Sequence, residues 1–274
     1  MSFNSSQMQA VTSFSGHALA STPLQAYQYR HAVASLSNLD ARSSSQGSFW
    51  RDSMALLEQH VEFGRRKIKT NDPIYQCGQV FETIYVMASG LCKVVNLAPD
   101  GREQAVCLHF KGDWLGFDGI PASHYACSAI ALEDSEVWTI RYTHLLQASA
   151  KHPLLMRAML AAMSAQLVRN RDALLSMGTL GTDARVGDFL LQWANSLAER
   201  GQRTDQITVQ MSRVDIGNYL GMRVESVSRA LTKMAQCGVI EFRERGRRDI
   251  SIPSLEALHV FIQNSTEVPL SALH

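Results

Sequence analysis

The sequence is poor in the features that mark a secreted mini-domain, a membrane protein or a familiar enzyme. Its five cysteines, Cys77, Cys92, Cys107, Cys127 and Cys237, are odd in number, widely spaced and contain no CxxC pair. That argues against a disulfide framework and against a zinc site. They read instead as buried thiols of a reducing compartment. No run of about 18 apolar residues occurs, so no membrane span is expected. The N-terminus lacks the charged start and apolar run of a signal peptide, and the expected location is cytoplasmic. A Gly-rich phosphate loop, a nucleophile elbow and a metal motif are all missing, so the expectation is not an enzyme. The nine histidines include His109, His124, His144 and His152, none at i,i+4 spacing. They read as surface or satisfied core residues, with no metal implied.

Acidic residues are almost missing from residues 1–48, a stretch rich in Ser, Ala and Gln. Ser43-Ser44-Ser45 and Gly47-Ser48 have linker composition, and this segment is expected to be a flexible tail. A transit peptide would also be poor in acids, but the basic residues are few and form no arginine face.

What remains is long enough for two domains: 274 residues, 46% of them hydrophobic. The net charge of +1 leaves nucleic-acid binding open, because a regulator can confine its basic charge to one face. A helix is predicted over Phe49 to about Glu62, with Met54, Leu57 and Val61 on one side. From Arg65 to Arg141 the pattern is short strands and turns. Ile84 to Met87 ends at Ser89-Gly90. Leu91 to Leu97 runs into Pro99-Asp100-Gly101, a hairpin signal, and Glu103 to His109 returns. Ala126 to Ala131 and Glu136 to Ile140 read as further strands. Such spacing implies a barrel or sandwich.

A long helix is predicted from Pro153 to about Met177. Met156, Leu160, Met163, Leu167, Asn170, Leu174 and Met177 recur at alternating spacings of four and three, the pattern of a coiled-coil seam. Leu155, Met159, Ala162, Gln166 and Ala173 form a second, partly apolar face. One face can cover the barrel while the other meets a second copy. Asn170, the single polar residue in the seam, can pair with its mate and set register. A helix over 179–200 and a strand over Ile207 to Met211 follow.

Ser212-Arg213-Val214-Asp215 carries the signature of a capping box at a helix start. The helix breaks at Gly221, and a second, amphipathic helix takes Val224 to Gln236. Two helices joined by a glycine turn form the helix-turn-helix pattern. Val239 to Phe242 and Asp249 to Ile252 then read as a small β-wing, its tip holding Arg243, Arg245, Arg247 and Arg248. A recognition helix presents its first turns to the major groove. Here those turns carry Arg223, Glu225, Ser226, Ser228 and Arg229. Arginine can bind guanine O6 and N7 together, and glutamate can accept from cytosine N4. Glu225, Ser228 and Arg229 are the candidate base readers. Ser212, Arg213, Arg223, Ser226 and the wing arginines are candidates for phosphate or flanking contacts. The competing reading is a helical pair for protein contacts, with Glu225 and Arg229 as an i,i+4 surface salt bridge.

These segments resemble the CRP/FNR family, and within it the FNR branch. The resemblance is carried by Gly217-Asn218-Tyr219-Leu220-Gly221, by Val224 to Arg229, and upstream by Ser89-Gly90, Gly112-Asp113 and Leu115-Gly116-Phe117-Asp118. It covers about residues 50–260. It implies an α+β chain: a tail over 1–48, a β-roll over 49–150 like the cyclic-nucleotide-binding jelly roll, a dimerisation helix over 151–178 and a winged helix-turn-helix over 179–274. It implies a homodimer on double-stranded DNA at a palindrome with TTGAT-type half-sites. It also implies contact with RNA polymerase near Pro99 to Arg102 and Pro121 to His124. Arg102 stands where FNR carries an acidic residue.

The chain departs from the family on the input side. FNR holds an iron–sulfur cluster with four cysteines, three of them N-terminal. Residues 1–76 here have none, and Trp138 takes the fourth ligand's place, so no such cluster is expected. Members that bind cyclic AMP use a Gly-Glu pair and an Arg-Ser or Arg-Thr pair. The corresponding stretch, Gly116 to Asp118 and His124 to Ser128, lacks both the glutamate and the arginine. Cyclic AMP is therefore disfavoured as a ligand. A haem-, ligand- or thiol-gated sensor is the alternative within the family. FNR carries aspartate where Asn170 lies, so a dimer without a cluster is expected. Arg223 replaces the usual Ser or Thr that caps the recognition helix, which points it towards phosphate.

Overall fold

The computed structural model describes residues 51–97, 103–243 and 248–265. The expected flexible tail, the Pro99 to Arg102 hairpin tip and the wing-tip residues Arg245 and Arg247 lie outside these residues.

A helix over 51–60 (α1) leads into eight strands. They are β1 (Gly64–Ile68), β2 (Pro73–Tyr75), β3 (Thr83–Ser89), β4 (Leu91–Leu97), β5 (Glu103–Phe110), β6 (Trp114–Leu115), β7 (Ser128–Ala131) and β8 (Ser135–Arg141). They pair as two four-stranded antiparallel sheets, β1-β8-β3-β6 and β2-β7-β4-β5. Ile74, Tyr75, Tyr85, Met87, Val94, Leu115, Tyr125 and Val137 bury one cluster of this β-roll. A second cluster joins Leu57 and Val61 to Ile84, Val86, Trp114, Trp138 and Ile140, and to Leu155 and Met159 of the long helix. Strand alternation explains the split. Tyr85 and Met87 belong to the first cluster and Ile84 and Val86 to the second, so β3 is apolar on both faces.

Helix α2 (Tyr142–Lys151) connects the roll to α3 (Pro153–Thr179). Then come α4 (Thr182–Ala198), β9 (Gln206–Thr208), α5 (Arg213–Leu220), α6 (Val224–Gln236), β10 (Glu241–Phe242), β11 (Asp249–Ser251) and α7 (Leu255–Asn264). Strands β10, β11 and β9 form a three-stranded antiparallel sheet beside the helices. The mixed helix-and-sheet architecture is the α+β class expected from sequence. Among the described residues no helix is long and apolar enough to cross a membrane.

Two readings of side-chain environment are corrected. Cys92 and Cys107 are buried, but Cys77 and Cys237 are exposed, so the cysteines are not uniformly buried thiols. Cys77 sits in the turn after β2 and Cys237 at the end of α6, positions with no apolar layer above them. His109 is not a satisfied core histidine: it is fully buried, and neither ring nitrogen has a hydrogen-bond partner.

Candidate nucleic-acid interface

Helix α6 has one buried face, formed by Val227, Ala230, Leu231 and Met234. On the opposite side Glu225, Ser228 and Arg229 are all exposed. Their i, i+3, i+4 spacing puts a carboxylate, a hydroxyl and a guanidinium on one patch of the first two turns. Arg223 is the N-cap residue, is exposed, and makes no side-chain capping bond. Ser226 is half-buried beside it.

Helix α5 holds α6 in place. The Ser212 hydroxyl accepts the Asp215 amide at 3.0 Å, and the Asp215 carboxylate accepts the Ser212 amide at 3.2 Å. The capping box read from sequence is therefore present. It also occupies the Ser212 hydroxyl, which donates to Asp215 Oδ2 at 2.6 Å. At Gly217 an added Cβ would lie 2.7 Å from the Met222 carbonyl oxygen. Only glycine lets the turn come this close to α5. Gly221 caps α5 with φ of 63°, a left-handed conformation that glycine adopts without strain.

The basic residues of the wing lie along the same domain. Arg243 and Arg248 are exposed at the base of the β10–β11 hairpin. Arg243 Nη1 lies 3.4 Å from Gln206 Oε1. The Arg213 guanidinium sits 5.7 Å from the centre of the Phe242 ring, beside the wing.

The two faces of the long helix divide by burial. On α3, Leu155 and Met159 are buried against the roll. Leu160, Leu167 and Leu174 are 56%, 69% and 69% exposed. Met156, Met163, Asn170 and Met177 are half-buried along the same seam. An unpaired chain thus presents a row of leucines to solvent.

Tertiary contacts that the sequence did not signal tie these parts together. Arg185 of α4 donates to the carbonyls of Met177 at 2.7 Å, Leu180 at 3.1 Å and Leu220 at 3.1 Å. It thereby joins the ends of α3 and α5. Lys93 Nζ of β4 lies 2.5 Å from Asp215 Oδ1, and the Gln104 side-chain amide donates to the Asn218 carbonyl. Burial pushes the Asp215 carboxyl up, but the hydrogen bonds from Lys93 and Ser212 outweigh it and hold it below the usual carboxylate range. Arg200 donates to Asp113 at 2.9 Å and to the Lys111 carbonyl at 2.8 Å, while Arg169 of α3 lies 3.7 Å from the same carboxylate. The Lys93–Asp215, Gln104–Asn218 and Arg200–Asp113 partners are 122, 114 and 87 residues apart, beyond any local pattern.

In the roll, Asp118 fills a backbone cradle. Its Oδ2 accepts the amides of Ala126 and Cys127, each at 3.0 Å. The Tyr75 hydroxyl reaches Oδ1 at 3.4 Å. The Tyr125 ring stacks on Tyr75 at 4.2 Å, and its hydroxyl donates to the Thr83 carbonyl at 2.6 Å.

Comparison with known proteins agrees with this architecture. Residues 65–152 match the cyclic nucleotide-binding domain and residues 184–261 the Crp-like helix-turn-helix domain. The transcriptional regulatory protein btr of Bordetella pertussis is 30% identical over 194 residues, covering 71% of this chain and 80% of btr. The fumarate and nitrate reduction regulatory protein of Escherichia coli is 31% identical over 176 residues, 64% of this chain and 70% of that protein. The solved structure of FixK2 from Bradyrhizobium japonicum aligns with a TM-score of 0.67 at 26% identity, covering 76% of this chain and 99% of FixK2. A β-roll, a long helix and a helix-turn-helix with an exposed polar face define a DNA-binding transcription regulator. The chain belongs to the CRP/FNR family.

Proposed function

We propose that this regulator acts as a homodimer, each α6 entering the major groove of one half of a palindromic TTGAT-type site. The observation that carries the reading is the exposure of Glu225, Ser228 and Arg229 on a helix whose other face is buried. Arg229 would bind a guanine edge, Glu225 a cytosine amino group and Ser228 a neighbouring base edge. Arg223, Arg243 and Arg248 would bind phosphates, with Arg213 and Ser226 flanking them; Ser212, a flanking candidate in the sequence, has its amide and hydroxyl engaged by Asp215. Arg245 and Arg247 extend that basic set in sequence. Two recognition helices related by a two-fold axis match a palindrome. The leucine row of α3 supplies the surface on which two chains would meet, with Asn170 paired to its mate. The exposed loop 121–124 is the surface proposed for RNA polymerase.

We further propose that neither a cyclic nucleotide nor an iron–sulfur cluster is needed. The two amides that could receive a phosphate already serve the Asp118 carboxylate. A second anion there would meet that charge at close range, with no arginine of the expected pair to offset it. The cluster's donor set does not fit either. Trp138 is buried and stacked on Phe63 at 4.3 Å where a fourth thiolate would be needed. Cys92 and Cys107 are buried in the β4–β5 sheet, where burial raises both thiols above the ordinary range and so disfavours thiolate ligands.

A gel shift with a palindromic TTGAT duplex tests the reading. The intact protein should shift it, and Arg229→Ala should lose about 1–3 kcal/mol of preference over a mutated half-site. A protein that ignores the duplex, or an Arg229→Ala variant with unchanged preference, overturns it.

A further inference from the structure

Cys77 and Cys127 lie on two neighbouring segments that run antiparallel. Tyr75 pairs with Ala129 at one end. Val80 pairs with His124 at the other, in the same register. Cys77 therefore falls opposite Cys127. Both lie just outside the strands, Cys77 in the turn after β2 and Cys127 immediately ahead of β7, so their proximity rests on the contacts around them. The local contacts agree. The Cys77 amide donates to Ser128 Oγ at 2.9 Å, and the Cys77 thiol lies 3.2 Å from the Ala126 carbonyl oxygen. Cys77 thus touches the residues on both sides of Cys127.

The two thiols differ in access. Cys77 is exposed, and Cys127 is half-buried against the inner cluster of the roll. Burial, then the nearby Asp118 carboxylate and Cys77, push the Cys127 thiol up to about 11. The other cysteines lack this arrangement. In the β4–β5 ladder Cys92 opposes His109 and Cys107 opposes Val94. Cys237 lies in the other domain, at the end of α6.

We propose that Cys77 and Cys127 form a peroxide-sensitive dithiol that closes to a disulfide in the β-roll. Cys77 sulfur attacks one oxygen of hydrogen peroxide and the O–O bond breaks. This leaves a sulfenic acid on Cys77 and releases water once the departing hydroxide takes the thiol proton. Cys127 sulfur then displaces the hydroxyl group from Cys77. The S–S bond forms, the Cys127 proton leaves with the hydroxyl as a second water, and two thiols have given two electrons to one peroxide. The cross-link would pin the turn after β2 to the segment whose amides hold Asp118. It stands apart from the DNA reading, and its chemistry can be read without DNA.

The test uses the full chain with Cys237→Ser, which removes the other exposed thiol. Reduced protein is treated with hydrogen peroxide, denatured, alkylated with N-ethylmaleimide and mapped without reduction. The expected result is a chain with maleimide on Cys92 and Cys107 alone, two adducts where the untreated reduced protein takes four, a peptide joining Cys77 to Cys127, and reversal by dithiothreitol. Adding Cys77→Ser, an exposed change that leaves the packing intact, should leave Cys127 alkylatable after the same treatment. The proposal is overturned if Cys127 remains alkylatable in the treated protein that retains Cys77, whatever Cys77 has become.

Discussion

Lys93 of the β-roll and Asp215 of the first helix of the DNA-binding motif are 122 residues apart in sequence, and their charged atoms are 2.5 Å apart. The contact is mostly out of solvent: the two side chains are 13% and 23% exposed. A charge-assisted hydrogen bond in such a setting contributes about 1.5–3 kcal/mol. The same carboxylate closes the capping box of α5. Lys93→Met and Asp215→Asn should each destabilise the protein by about 1–2 kcal/mol. The double variant should lose less than the sum. Urea denaturation of the four proteins measures the coupling, and strict additivity would mean that the pair does not link the domains.

The leucine row of α3 makes a second prediction. Leu167 is among the most exposed large apolar side chains described. Leu167→Glu should leave the folded chain intact yet place facing carboxylates in the proposed seam. Sedimentation velocity of aerobically purified protein should find a dimer for the native chain and a monomer for the variant. A native chain that is monomeric at micromolar concentration would remove the dimer proposal.

Acid should loosen the junction below the long helix. Burial, aided by Arg169 and Arg200 and opposed by Asp113, lowers His109 to about 4. The unfolded value is about 6.5. Below that value the unfolded chain takes up a proton that the folded chain refuses, so stability falls as pH drops from about 6.5 towards 4. Asp113 acts in the same direction at lower pH. Burial pushes its carboxyl up, but Arg169, Arg200 and His109 outweigh that and hold it below the ordinary range. By pH 5 the His109 contribution should reach on the order of 2 kcal/mol. His109→Leu should flatten the stability profile between pH 6.5 and 5; an unchanged slope would assign the loss to other groups.

Asp118 gives a prediction about ligands. Calorimetric titration of the native protein with cyclic AMP should show no saturable binding. Asp118→Ala frees the Ala126 and Cys127 amides that its carboxylate now accepts. It should lower the melting temperature of the roll, because two backbone donors lose a charged partner. A native protein that binds cyclic AMP in the micromolar range would contradict the proposed independence.

Much of the fold was readable from local pattern. The capping residues and glycine turn bounded α5 and α6, and α6 matches the predicted Val224 to Gln236. Strand β4 likewise matches Leu91 to Leu97. Helix α2 was not predicted: Leu145 and Ser149 are its only buried residues, so its apolar stripe is too thin to read. Helix α7 was missed as well, although Leu258, Phe261 and Ile262 bury one face of it.

By itself the sequence determined the exposed polar patch of α6 and the leucine row of α3, because both are helical periodicities within a few turns of chain. It also determined the lack of N-terminal cysteines. Only the tertiary structure decided which partners meet across long loops. It brought Lys93 to Asp215, two arginines to Asp113, the Asp118 carboxylate to two amides, and Cys77 opposite Cys127. Such pairs depend on strand register and domain docking, which are set by the burial of whole faces and leave no repeat in the residues that happen to meet.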